Sequence, residues 1–300
     1  MILYYVLQAD LTQYPQHDVL LHVILTLTIM HDRYLSAAPR TEHSTAEAFH
    51  WYKGPMLLNR KLSNSVPPSE RDALWGTAAL LGAIVFASIE ATTAEEAWPL
   101  KAASSQDLNW LKMSEGKRAV WEIANPARPD SVFHALHSEH DKVLSWFCRI
   151  KSGLETLPAE FLKLYDLGPE SSSDNNVYYG AAFFLGRLIT MEINRYTILH
   201  FVTFIYYIHP DHKARLERKD PRTLLLIAYW YAKICQNPPW WMERRARIEC
   251  QAICIYLEKY HSDEVKLIEL LKFPKMMCGL VAKQESRVDL CCSSLGSGNS

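Results

Sequence analysis

Few residues in this chain combine the types and spacing that chemistry needs. His134, His137 and His140 fall at i, i+3 and i+6 of one helical stretch, with Asp141 beside them. Imidazoles one turn apart project from one face and are a metal-binding spacing. One helix seldom completes a coordination sphere, and the flanking Ser138, Glu139 and Lys142 read as a solvated surface, so no metal site is assigned there. The segment His209-Pro210-Asp211-His212 reads as a helix-ending loop, also without a metal. Cys250 and Cys254 share a helix face at i, i+4; that geometry holds the sulfurs too loosely for a disulfide, and both read as buried thiols acting as small apolar residues. Arg244, Arg245 and Arg247 make a basic cluster that Glu243 and Glu249 offset, so a solvated face or internal ion pairs is expected rather than a phosphate site. There is no glycine-rich phosphate loop and no G-x-S-x-G elbow. No catalytic residue, metal or cofactor is assigned, and the chain is not expected to be an enzyme.

The aromatic residues stand above background. Nine Trp and fifteen Tyr are many for 300 residues. Phe183, Phe184, Phe201, Phe204, Tyr206, Tyr207, Tyr229, Trp230 and Tyr231 concentrate in two segments, 177–208 and 221–236. One reading is ordinary core packing. The other is an apolar cavity, because small-molecule pockets are walled by apolar and aromatic groups with a few polar anchors. On that reading Phe201, Phe204, Tyr229 and Trp230 form the wall. Glu192, Asn194 and Arg195, polar residues in an otherwise apolar helix, offer an anchor for a ligand hydroxyl.

The elements that must position these groups are helical almost throughout. Ser44-Thr45-Ala46-Glu47 is a capping box opening a helix to about Asn64, bent at Gly54-Pro55. Ser69 is expected to cap a helix from Glu70 to Glu90 that is apolar nearly all round, hence central, with Trp75 buried in it. Asp107 opens a helix closed by Asn125-Pro126, Asp130 another to about Ile150, and Pro158 a short one. Glu170 to Asn176 reads as a loop and Val177 to Ile208 as one long apolar helix. Asp220 caps a helix with Pro221 in its first turn, and Pro239 starts the next, whose first residues are Trp240 and Trp241. Residues 1–10 read as a core helix without the basic flank of a secretion signal. The alternation and hairpin turns of a sheet are absent. The predicted fold is all-α: one large multi-helix domain over residues 1–282 and a disordered tail over 283–300.

Composition agrees. A 49% hydrophobic content can bury a large core. A net charge of −1 provides no electrostatic footprint for nucleic acid. Seven cysteines, an odd number, argue against a disulfide framework and for a reducing compartment. The longest apolar runs, 19–30 and 198–208, fall short of a membrane span of about 18 residues.

The stretch from Asp220 to His261, two amphipathic helices joined at a Pro-Pro corner, resembles the C-terminal regulatory domain of fungal zinc-cluster transcription factors, the group that includes the sterol uptake control regulators. Asp18–Leu25 continuing to His31, His50–Lys53, Ala73–Leu81, Phe86–Glu90, Trp98–Leu100, Asp107–Gly116 and Leu270–Lys275 resemble the same domain in the same order. Together they span residues 18 to 279. The resemblance implies a nuclear module, otherwise a cytoplasmic one, that regulates RNA polymerase II transcription in response to a hydrophobic effector such as a sterol. A second copy or a full-length regulator is an expected partner. Relatives carry a six-cysteine zinc cluster with paired C-x2-C elements, and no two cysteines of this chain have that spacing. Direct DNA binding by this chain is therefore not expected. The alternative implied is a stand-alone lipid-binding or heterodimerising module.

Overall fold

The computed structural model describes residues 17–36, 43–135, 145, 153–207 and 210–281. The expected N-terminal helix over residues 1–10, His137, His140, Asp141, His209 and the tail from residue 283 lie outside them. Helix accounts for 67% of the structure, and no strand occurs among the described residues.

Among the described residues, four α-helices build the first half: α1 (Asp18–Leu35), α2 (Thr45–Leu62), α3 (Arg71–Ala87) and α4 (Asn109–Ala124). The Ser44 side chain accepts from the Glu47 amide at 3.1 Å, as the capping box requires. The Glu47 carboxylate does not return that bond. It is buried and binds Arg33 and His43, each at 2.7 Å. α2 contains Pro55, and beside it Gly54 lets α1 come close: a Cβ on Gly54 would stand 2.8 Å from Val23 Cγ2. α3 is buried on nearly every face, as its composition demands, and Trp75 packs edge-on against Trp121 of α4 at 4.9 Å. Ser69 does not cap it; a short 3₁₀ turn over Pro68–Glu70 leads in instead. Asp107 likewise precedes α4 without capping it, accepting from the Ser104 amide and pairing with Lys101. Asn125, at φ 42°, closes α4 in the left-handed conformation that asparagine tolerates.

The second half contains α5 (Ala159–Leu164), α6 (Tyr179–Ile189), α7 (Ile198–Tyr207), α8 (Pro210–Glu217), α9 (Pro221–Gln236), α10 (Trp240–Tyr260), α11 (Val265–Leu270) and α12 (Lys272–Cys278). Asp220 accepts from the Thr223 amide at 2.8 Å with Pro221 in the first turn. Every residue of α9 from Thr223 to Ile234 is buried, so α9 is the axis of this half. α10 folds back along it, and α12 packs on both. The expected single helix over 177–208 is two helices. The chain leaves helix after Ile189 and re-enters at Ile198, because the Asn194 side chain accepts from the Tyr196 and Thr197 amides and offers the backbone a turn in place of helix.

The buried apolar side chains form two main clusters. One joins α1, α2, α3 and α4; the other is built around α9 with part of α4 and with α5, α6, α7, α8, α10, α11 and α12. α3 and α4 belong to both: Trp75, Leu80 and Val120 lie in the first, while Phe86 and Trp110 lie in the second.

Candidate ligand cleft and buried thiol cluster

A cleft of about 350 Å³ opens at the seam between the two clusters. α1 contributes Leu27, Thr28 and His31; α3 contributes Leu80, Gly82, Ala83 and Phe86; α4 contributes Trp110 and Lys117. α7 presents Ile198, Leu199, Val202 and Ile205, and the start of α10 adds Trp240, Trp241 and Met242. Phe86 sits edge-on to Trp110 at 5.5 Å and to Trp241 at 5.7 Å, the arrangement in which aromatic quadrupoles attract. His31 lies 4.9 Å from the Trp240 ring. Lys117 reaches across α3 because Gly82 has no side chain: a Cβ there would stand 3.1 Å from Lys117 Nζ. An apolar wall with an imidazole, an ammonium and a hydroxyl at its edge suits a hydrophobic molecule carrying one polar group. The volume is at the low end of small-molecule pockets, roughly 300–1,000 Å³. Two larger depressions differ in kind. A groove of about 830 Å³ is mixed, setting Glu90, Glu96, Lys101, Asp107 and Lys112 beside Trp51, Trp98 and Trp110, and one of about 640 Å³ over Asp166–Tyr178 is shallow.

The residues expected to wall a cavity lie elsewhere. Phe201, Phe204 and Trp230 are fully buried behind the cleft, on the α9 side of α7. Trp230 stacks on Phe204 at 5.5 Å and on Trp110 at 6.0 Å, and its Nε1 donates to the Phe201 carbonyl at 3.0 Å. They are the layer that holds Trp110 in place. Tyr229 faces away, donating its hydroxyl to the Leu270 carbonyl at 3.0 Å. Glu192, Asn194 and Arg195 do not line this cleft. They are exposed on the turn between α6 and α7, where Arg195 lies over the Tyr196 ring at 4.6 Å and bonds its hydroxyl. The missed wall was partly legible: Ile198, Leu199, Val202 and Ile205 form a second apolar stripe on α7 at i, i+1, i+4 and i+7. His31 and Lys117 carried no such signal.

The other marked residues resolve as follows. His134 is exposed, 2.8 Å from the Ala127 carbonyl. His212 is not in a loop; it is buried within α8, where its Nε2 bonds the Val177 carbonyl at 2.8 Å. Of the basic cluster, Arg247 pairs with Glu243 at 2.9 Å and Arg244 donates to the Ala91 carbonyl. Arg245 is buried. It pairs with the buried Glu249, donates to the Phe86 carbonyl at 2.7 Å, and shares Glu249 with the Tyr231 hydroxyl at 2.6 Å. Burial outweighs the attraction of Arg245 and holds the Glu249 carboxyl above its ordinary range.

Cys250 and Cys254 are buried, as expected. The structure adds Cys278, which closes α12, so that three buried sulfurs lie within 4.8 Å of one another. No spacing rule joins residue 278 to the pair; the fold brings it there. Comparison with models of protein families, with curated proteins and with solved structures finds no match for this chain.

Proposed function

We propose that this chain is a ligand-sensing regulatory module of the kind that fungal zinc-cluster transcription factors carry, acting in the nucleus and answering to a hydrophobic small molecule. The observation that carries the ligand half of this reading is the apolar cleft at the seam between the two core clusters. A molecule seated there touches α1 of one half, α7 and α10 of the other, and α3 and α4, which belong to both. It therefore binds best in one relative packing of the halves and shifts the population toward it. The cleft's chemistry sets the ligand class as an apolar ring system or chain with one polar end near His31 or Lys117; a sterol belongs to that class. The transcriptional half rests on the ordered resemblance along residues 18 to 279.

The test is a reporter assay. The chain is fused to an unrelated DNA-binding domain in yeast, and reporter output is followed as sterol and fatty-acid supply is varied. Effector-dependent output that Val202→Phe makes constant, by filling the cleft, supports the reading. Output indifferent to every lipid tested, from a fusion that accumulates normally, removes the regulatory role. A chain that binds lipid in vitro yet leaves the reporter silent is instead a stand-alone lipid-binding module.

A further inference from the structure

The three-sulfur cluster lies far from any role described so far, and its placement has a chemical consequence. Cys250 and Cys254 occupy successive turns of α10 on the face that meets α9 and α12, and Cys278 is the last residue of α12. All three side chains are fully buried. Besides one another, the thiols have weak neighbours among the described residues: Cys250 Sγ lies 3.5 Å from the Ala228 carbonyl and 3.9 Å from the Pro274 carbonyl, and Cys278 Sγ lies 3.6 Å from the Lys275 carbonyl. Three sulfurs bonded at about 2.3 Å to one ion lie roughly 3.5 Å apart around a pyramidal ion and roughly 4 Å apart around a planar one, and small side-chain rotations reach either from the present spacing.

We propose that Cys250, Cys254 and Cys278 form a three-thiolate site for a soft, thiophilic ion that is complete with three sulfur ligands, with trivalent arsenic the best-fitting class. Three observations select it. Among the described residues no fourth Cys, His, Asp or Glu joins the cluster, whereas structural zinc takes four ligands. Burial leaves no wet coordination position for a water to fill. Charge decides the rest. Three thiolates around zinc(II) leave one buried negative charge and around copper(I) two, while around arsenic(III) they leave none, and an uncompensated buried charge is strongly disfavoured. The reaction balances without an oxidant. Arsenous acid and three thiols form three As–S bonds and break three As–O bonds; each thiol proton leaves with a hydroxide as water. Entry requires α12, seven residues near the end of the described chain, to lift from α9 and α10. Binding thus reports on, and locks, that docking.

The test uses the full chain with Cys148, Cys291 and Cys292 replaced by serine, which removes the adjacent pair at 291–292 as a competing dithiol. Arsenite is added under reducing conditions, and intact mass is followed by alkylation mapping. The expected result is one arsenic per chain. Cys250, Cys254 and Cys278 are slowly alkylated in arsenite-free protein, as α12 lifts, and are protected once arsenite is bound, while Cys235 is alkylated in both. Cys278→Ala should weaken binding at least tenfold, while Cys235→Ala leaves it unchanged. The protection map needs no variant in the cluster, so a misfolded mutant cannot obscure the outcome. Alkylation of these three thiols at the same rate with and without arsenite overturns the site. Zinc or copper(I) protecting them when arsenite does not overturns the trivalent assignment.

Discussion

His22 and His50 face each other across the α1–α2 contact with their Nδ1 atoms 2.7 Å apart. Only one of two such nitrogens can donate, and protonating both rings places like charges together. Burial, then the neighbouring His50, hold the His22 imidazole below its ordinary range. A lowered folded value means that the unfolded chain takes up the proton first. Stability is then fully present above the unfolded value of about 6.5 and falls as pH drops below it. Burial lowers His200 as well, which acts in the same direction. Urea unfolding of wild type at pH 7.5 and 5.5 should show a loss on acidification, and His22→Gln should reduce that loss; an undiminished acid loss in the variant would exclude the pair as its source. Trp75 is the simpler case. It is 8% exposed against Trp121, and Trp75→Ala should cost about 3–5 kcal/mol by chemical denaturation. The burial of Trp75 was legible because its helix is apolar on nearly every face. Asn194 and Arg195, expected to anchor a ligand, lie exposed on the turn between α6 and α7; polarity in an apolar run marks a turn as readily as a ligand contact.

At the scale of elements, caps and breaks decided what was legible. Asp220 with Pro221, Ser44 and Asn125 set helix ends through local bonds, so local sequence announced them. The break at 190–197 is also local, but the apolar content on both sides hid it. The contact of α3 with α10 was not legible, because it depends on a buried pair that reads as surface charge in sequence. Arg245 binds the C-terminal carbonyls of α3 at Val85, Phe86 and Ser88, and Glu249 holds it there. Glu249→Gln leaves Arg245 buried without its counter-charge and should destabilise by about 3–5 kcal/mol, whereas Arg245→Met with Glu249→Leu should lose much less. A denaturation cycle in which the double variant is as unstable as the single one would place the cost in packing instead of charge. The close approach of α1 to α2 makes a parallel case. Gly54→Ala puts a methyl 2.8 Å from Val23 and should cost about 1–3 kcal/mol. Melting curves superimposable on wild type would show that the two helices separate freely.

The described residues form two helical halves that share α3 and α4, with an apolar cleft where they meet. An all-α architecture was legible from helical periodicity and missing hairpin signals. The cleft was not, because its wall comes from five helices distant in sequence, and the aromatic density that pointed to a cavity belongs to the layer behind it. Phe201, Phe204 and Trp230 have the composition of a pocket wall and the burial of a core. Composition alone does not separate those two states. A ligand at one hundred times its dissociation constant stabilises the fold by about 2.7 kcal/mol. For a domain of this size that is several degrees in melting temperature, well within detection. The most direct measurement is therefore a thermal-shift screen of sterols, fatty acids and apolar aromatic compounds on wild type and Val202→Phe in parallel. The cleft reading expects at least one hydrophobic class to raise the wild-type melting temperature by several degrees, with the shift lost in Val202→Phe. No shift from any hydrophobic compound, or an equal shift in both proteins, would contradict it.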